Sequence, residues 1–158
     1  MTTKLLHVCS SYLENVFNPV RRKNTIDECI ATLKPHMHNF DAIAISGYSQ
    51  ALIAPTVADA LGKGLIIVRK DNEKCASSYE VEGVLAQKYI IIDDLICSAY
   101  TLKRIKEKIK KYHYSSAECY GIYLYMLEHS AYRTHGVFTK YLGERLLNTE
   151  EQCNRVEI

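Results

Sequence analysis

Lys88-Tyr-Ile-Ile-Ile-Asp-Asp-Leu-Ile-Cys-Ser-Ala-Tyr-Thr-Leu102 decides how the rest of the chain is read. Tyr89 to Ile92 is a continuous run of β-branched and aromatic residues, the pattern of a strand buried on both faces in a parallel sheet. The run ends on Asp93 and Asp94. Small and hydroxylic residues follow (Cys97, Ser98, Ala99, Thr101), and then Leu102, Ile105 and Ile109 repeat at helical spacing. The order is strand, acidic turn, small-residue loop, helix. In an open α/β sheet this puts two carboxylates and a loop in the crevice at the carboxyl end of a strand, where ligands bind. The free N–H groups that open the helix suit a phosphate. Carboxylates repel phosphate, so acids beside such a cradle are better placed to accept hydrogen bonds from sugar hydroxyls or to help hold a hydrated Mg²⁺. A sugar phosphate is the implied ligand. The bland alternative is a polar turn with Thr101 as a helix cap.

Residues Tyr89 to Thr101 resemble the phosphoribosyl pyrophosphate (PRPP) signature of the type I phosphoribosyltransferases, in which hydrophobic residues, two acids and two more hydrophobic residues lead into a short loop. The resemblance implies that Asp93 and Asp94 hold the ribose hydroxyls and, through them or through water, Mg²⁺. It also implies that Cys97, Ser98, Ala99, Tyr100 and Thr101 wrap the 5′-phosphate. Ala99 stands where the family usually has glycine. The implied fold is a Rossmann-like parallel sheet flanked by helices, with a small hood from the termini.

Two further β-loop-α units precede this stretch. Phe40 to Ser46 reads as a buried strand, Gly47 to Gln50 as a tight loop, and a helix follows with Pro55 in its first turn and Gly62 at its end. Gly64 to Val68 reads as the next strand, with Arg69 and Lys70 at its end. Three such units in succession define a parallel sheet. Similar proteins place a pyrophosphate-binding loop after the first core strand. The resemblance therefore makes the backbone N–H groups of Tyr48, Ser49 and Gln50 donors to pyrophosphate, and gives Arg69 and Lys70 the role of cations that reach it. Read alone, Arg-Lys is simply where a buried strand meets water. Asp71 to Gln87 is polar and lies where the family has a closing hood, although a β-hairpin around Tyr79 to Leu85 fits as well; Glu82 is a weak catalytic candidate.

The remaining segments are less informative. Residues 1 to 24 form a loose helical pattern ending near Asn18-Pro19. Thr25 with Glu28 looks like a capping box that opens a helix ending near Pro35. Ala117 to Met126 reads as another buried strand, giving at least four. The aromatic and polar groups of the tail (His129, Tyr132, Arg133, His135, Phe138, Tyr141) would edge a nucleobase.

Composition bounds the rest. With 158 residues, 47% hydrophobic and 24% charged, the chain suits one soluble domain: a core at about 41–126, with 1–40 and 127–158 as cap or hood segments. A net charge of +2 argues against nucleic acid as a partner. The basic run Lys103 to Lys111 reads as a solvated helix face. Six cysteines without paired spacing read as free thiols, and His36 with His38 makes a weak metal pair. No secretory signal or membrane span is evident, so a cytoplasmic location and no membrane partner are expected.

The resemblance implies transfer of ribose 5-phosphate from PRPP to a nucleobase with release of pyrophosphate, Mg²⁺ as cofactor, and a homodimer. Cys97 stands where hypoxanthine and guanine enzymes usually carry an acid. Arg69-Lys70 resembles the pair of adenine, xanthine and orotate enzymes, and a purine acceptor is preferred. A regulatory protein that binds PRPP or a nucleotide without turnover stays open. A phosphorylated receiver domain is discounted, because the first strand ends in Ser46-Gly47.

Overall fold

A computed structural model describes residues 13–73, 77–94, 100–112, 116–130 and 133–139. Six strands form one sheet: β1 (Ala42–Ile45), β2 (Gly64–Val68), β3 (Val81–Gly83), β4 (Lys88–Asp93), β5 (Glu118–Ser130) and β6 (Arg133–Thr139). Their order across the sheet is β3-β2-β1-β4-β5-β6. The four central strands β2, β1, β4 and β5 run parallel, and the two edges, β3 on β2 and β6 on β5, are antiparallel. The α/β architecture with a parallel core is the one expected. The sheet extends beyond the parallel strands at both edges, and residue 126 falls inside β5.

Helices cover both faces, and strand alternation explains how. Ile43, Ile45, Ile90, Ile92, Tyr123 and Tyr125 face one layer, which contains α1 (Glu14–Phe17), α2 (Pro19–Leu33), α3 (Tyr48–Ala51) and α4 (Ala54–Leu61). Ala42, Ala44, Ile66, Val68, Tyr89, Ile91, Ile122 and Leu124 face the other, which contains α5 (Tyr100–Tyr112) through Leu102, Ile105 and Ile109. Strands buried on both sides need continuous apolar runs, and Tyr89-Ile-Ile-Ile92 is such a run. Gly62 closes α4 with φ +64°, a left-handed cap where a Cβ would be strained.

Two readings of the helices are corrected. Thr25 is not a cap: it lies in the middle of α2, which opens seven residues earlier. There Asn18 Oδ1 accepts from the Val20 and Arg21 N–H groups at 3.0 and 3.2 Å, and Pro19 follows at the first helical position. A helix does end at Asn-Pro, since α1 stops at Phe17, and the same pair also starts α2, where the missing N–H of Pro costs nothing. The basic run on α5 is not a solvated face throughout. Lys108, on the flank of the apolar stripe, is buried, and Arg104 is half-buried.

His36 packs its ring against Phe138 at 4.7 Å, within a 3₁₀ turn (Lys34–Asn39) that follows α2. Among the described residues no group of three metal-ligating side chains forms, and no helix is long and apolar enough to cross a membrane. Cys29 and Cys119 are free thiols there, and burial pushes both thiols up, that of Cys119 to about 11. Such thiols are unreactive at neutral pH.

Candidate active site at the ends of strands β1 and β4

The connection from β1 leads through α4 to β2 on one side, whereas that from β4 leads through α5 to β5 on the other. The two chains diverge between β1 and β4, and such a switch point leaves a crevice at the carboxyl ends of the two strands. Ser46 to Gln50 leave β1 there. Asp93 and Asp94 leave β4. Register pairs Ala44 with Ile91, and its continuation sets Ser46 beside Asp93.

Asp93 is 5% exposed, and the Gln50 side-chain amide donates to its Oδ1, which also accepts from the Asp94 N–H at 3.0 Å. Burial, reinforced by the neighbouring Asp94 carboxylate, pushes the Asp93 carboxyl up to about 7. Asp94 is half-buried and its carbonyl is fixed by the Met126 N–H at 2.9 Å. The pair is therefore unequal. Asp93 faces inward and braces the loop after β1, while Asp94 is the acid better placed to meet a ligand. Two carboxylates with no third protein ligand among the described residues fit an Mg²⁺ held mostly by water and substrate oxygens, which is how that cation usually binds.

Gln50 was expected to act through its backbone N–H. Its side chain is what the structure places in the site: Gln50 is 5% exposed, and its Oε1 lies beside Gly47, where any Cβ would run into it. A larger residue at 47 would have to displace the end of the Gln50 side chain. Tyr48 is fully open, its hydroxyl 3.4 Å from Glu73.

At the end of β2, Arg69 pairs with Glu82 and donates from Nε to the Tyr79 carbonyl at 3.2 Å. Both cations expected to reach pyrophosphate sit at the strand end, but the Arg69 guanidinium is held by the β3 edge. The Lys70 N–H donates to Glu73 at 3.0 Å. Glu82 serves here as the partner of Arg69, which with Ser77 holds its carboxyl below the ordinary carboxylate range.

The segment between β2 and β3 is strapped to α5. Lys108 Nζ donates to Asp71 at 2.8 Å, to Glu80 at 3.2 Å and to the Arg69 carbonyl at 2.9 Å. Tyr100 and Tyr112 donate to Asp71 and Glu80, each at 2.7 Å. These bonds hold the carboxyls of Asp71 and Glu80 below their usual range. Tyr100 opens α5 with its hydroxyl on Asp71, and Thr101 lies in the same first turn. Cys97, Ser98 and Ala99 lie outside the described residues, as do Tyr132 and Tyr141 of the tail. Arg133 and His135 lie on the edge strand β6, with Phe138 packed against His36 and Tyr120.

Solved structures share the fold. Orotate phosphoribosyltransferase of Francisella tularensis superposes with a TM-score of 0.54 at 13% identity, over 68% of this chain and 52% of its own. The fold is that of the type I phosphoribosyltransferases. Leishmania donovani UMP synthase gives 0.54 at 22% identity, over 75% of this chain and 27% of its own. Adenine phosphoribosyltransferase of Saccharomyces cerevisiae gives 0.47 at 24% identity, over 61% and 63%. The chain spans about half the length of the orotate enzyme and about a quarter of the UMP synthase. No family model and no curated protein matches its sequence.

Proposed function

We propose that this chain binds Mg²⁺·PRPP in the crevice between β1 and β4 and transfers its ribose 5-phosphate to a nucleobase, releasing pyrophosphate. One observation carries the reading. The acidic pair of the PRPP-like stretch stands at the sheet's switch point, directly across from the loop that leaves β1, and Gln50 joins the two.

In this reading Asp94 accepts hydrogen bonds from the ribose hydroxyls, and Asp93 holds Asp94 and the β1 loop in register. The loop through Tyr100 and Thr101 takes the 5′-phosphate, and Tyr48, Ser49 and Gln50 line the pyrophosphate side with Arg69 and Lys70 behind them. The bond between ribose C1 and pyrophosphate breaks as a base nitrogen approaches. Positive charge grows on the ribose and negative charge on the departing pyrophosphate, so the protein's work is positioning and electrostatic stabilisation. Mg²⁺, when bound, would neutralise pyrophosphate charge. A purine acceptor is the preferred reading, on the grounds of Cys97 and the Arg69-Lys70 pair, and a cytoplasmic homodimer is the preferred state.

The strap gives the non-catalytic alternative its support. A hood fastened to α5 by Lys108, and an Arg69 held by Glu82, suit a protein that binds PRPP without turnover. Pyrophosphate release from Mg²⁺·PRPP, with adenine, hypoxanthine, guanine, xanthine, orotate and uracil supplied separately, separates the two. Base-dependent release is expected; PRPP binding without release of pyrophosphate would favour the regulatory protein. Asp94→Asn is expected to weaken PRPP binding about tenfold, equivalent to about 1.4 kcal/mol for a charge-assisted hydrogen bond. Unchanged affinity would remove Asp94 from the site.

A further inference from the structure

Tyr100, Arg104 and Lys108 recur at intervals of four on α5 and so lie one above another on the side that faces the ends of β1 and β2. Two of them are fully engaged. Tyr100 has Asp71, and Lys108 has Asp71, Glu80 and the Arg69 carbonyl. Arg104 between them is different. Its Nη2 donates to Ser46 Oγ at 3.0 Å, the Tyr100 ring lies 5.6 Å from its Cζ, and its Nε is shielded from solvent with no hydrogen-bond partner among the described residues. No carboxylate among those residues comes within ion-pair distance of it. Asp71 acts on it only at longer range.

A guanidinium has five donors, and the half-buried Arg104 leaves its shielded Nε without a partner among the described residues. Here a single neutral hydroxyl meets it. The arrangement is completed by an anion, and its location says which part of a ligand would supply one. Ser46 follows β1, one strand from Asp93, and opens the loop that leaves β1. Of the two cations the sequence favoured for this task, Arg69 and Lys70, the first is paired with Glu82.

We infer that Arg104 is the residue that receives the pyrophosphate end of the ligand, reaching it from α5 past Ser46. The inference rests on the PRPP reading for the identity of the anion and on the Arg104 geometry for the existence of its site. Planar guanidinium donors match two phosphate oxygens at once, which an ammonium cannot reproduce. Ser46 holds the guanidinium in place until the anion arrives.

The test is calorimetric titration of the full chain with Mg²⁺·pyrophosphate, Mg²⁺·PRPP and ribose 5-phosphate, in the wild type, Arg104→Gln and Arg104→Lys. Arg104→Gln is expected to weaken pyrophosphate and PRPP at least tenfold while leaving ribose 5-phosphate within twofold. Arg104→Lys keeps the charge and the stem, so it is the variant to rely on if Arg104→Gln does not fold, and it is expected to bind pyrophosphate with intermediate affinity. Equal weakening of all three ligands, or wild-type pyrophosphate affinity in either variant, would overturn the assignment. Wild-type protein that binds pyrophosphate but not PRPP would refute the transfer reading and leave the Arg104 site standing. Binding of neither would overturn both.

Discussion

Replacing Asp93 by Asn should flatten the pH dependence of stability between about pH 4 and 7. The carboxyl titrates near its ordinary value of 3.8 when unfolded and is pushed up to about 7 when buried beside Asp94. Between those values the folded chain keeps a proton that the unfolded chain has released, so stability falls as pH rises through this window and levels off above it. One proton gives a slope of at most about 1.4 kcal/mol per pH unit, and three units set a ceiling of about 4 kcal/mol. The donor from Gln50 and the Asp94 N–H work against the burial, so a fall of about 2 kcal/mol is the expectation. Asp71, Glu80 and Glu82 act in the opposite sense and in another window. Their lowered values contribute stability present above the ordinary carboxylate range and lost in acid. Urea denaturation at half-unit steps from pH 4 to 8, for the wild type and Asp93→Asn, separates the two. The difference between the proteins should shrink from pH 7 towards pH 4 in the sense that the wild type gains. A constant difference across the window would show that Asp93 is ionised throughout and that its burial carries no penalty.

Two further outcomes follow from contacts in the site. Gly47→Ala forces the end of the Gln50 side chain away from its place and should cut its bond to Asp93, at a cost of about 2 kcal/mol in urea denaturation; stability within 0.5 kcal/mol of wild type, as is usual for a surface change, would show that the glutamine relocates freely. Lys108→Met removes the cation that ties Asp71, Glu80 and the Arg69 carbonyl to α5, so amide exchange should accelerate in residues 77–80 while β1 and β4 stay protected. Uniform acceleration across the sheet would mean the strap supports the whole fold.

The central strands were legible because burial on both faces demands an unbroken apolar run, and Tyr89 to Ile92 has no other reading. Gly62 and Pro55 were legible because each backbone constraint has one common use at a helix boundary. At Asn18-Pro19 the end of α1 was legible but the start of α2 was not, since the same pair ends one helix as readily as it starts the next. Asn18 Oδ1 on the Val20 and Arg21 N–H groups is what shows the new start. The edge strands carried little signal: β3 is three residues long, and β6 contains polar Arg133, Thr134 and His135, for which pairing with β5 does what hydrophobicity did not.

The candidate site divides along the same physical line. Asp93 and Asp94 were legible because a pair of acids at the end of a buried strand is costly without a purpose. Gln50 and Arg104 were not, because neither residue type is unusual in a polar loop or a basic helix. Their roles exist only in the long-range pairings Gln50 to Asp93 and Arg104 to Ser46, forty-three and fifty-eight residues apart in the chain. On a helix whose apolar stripe is Leu102, Ile105 and Ile109, position 108 falls on the stripe's flank, whereas 104 turns further away and 100 lies opposite, so periodicity alone does not single out Arg104. Lys108 has found its carboxylates, and Arg104 has found only a serine. That asymmetry between two basic residues one turn apart is what turns an ordinary basic helix into one wall of an anion site.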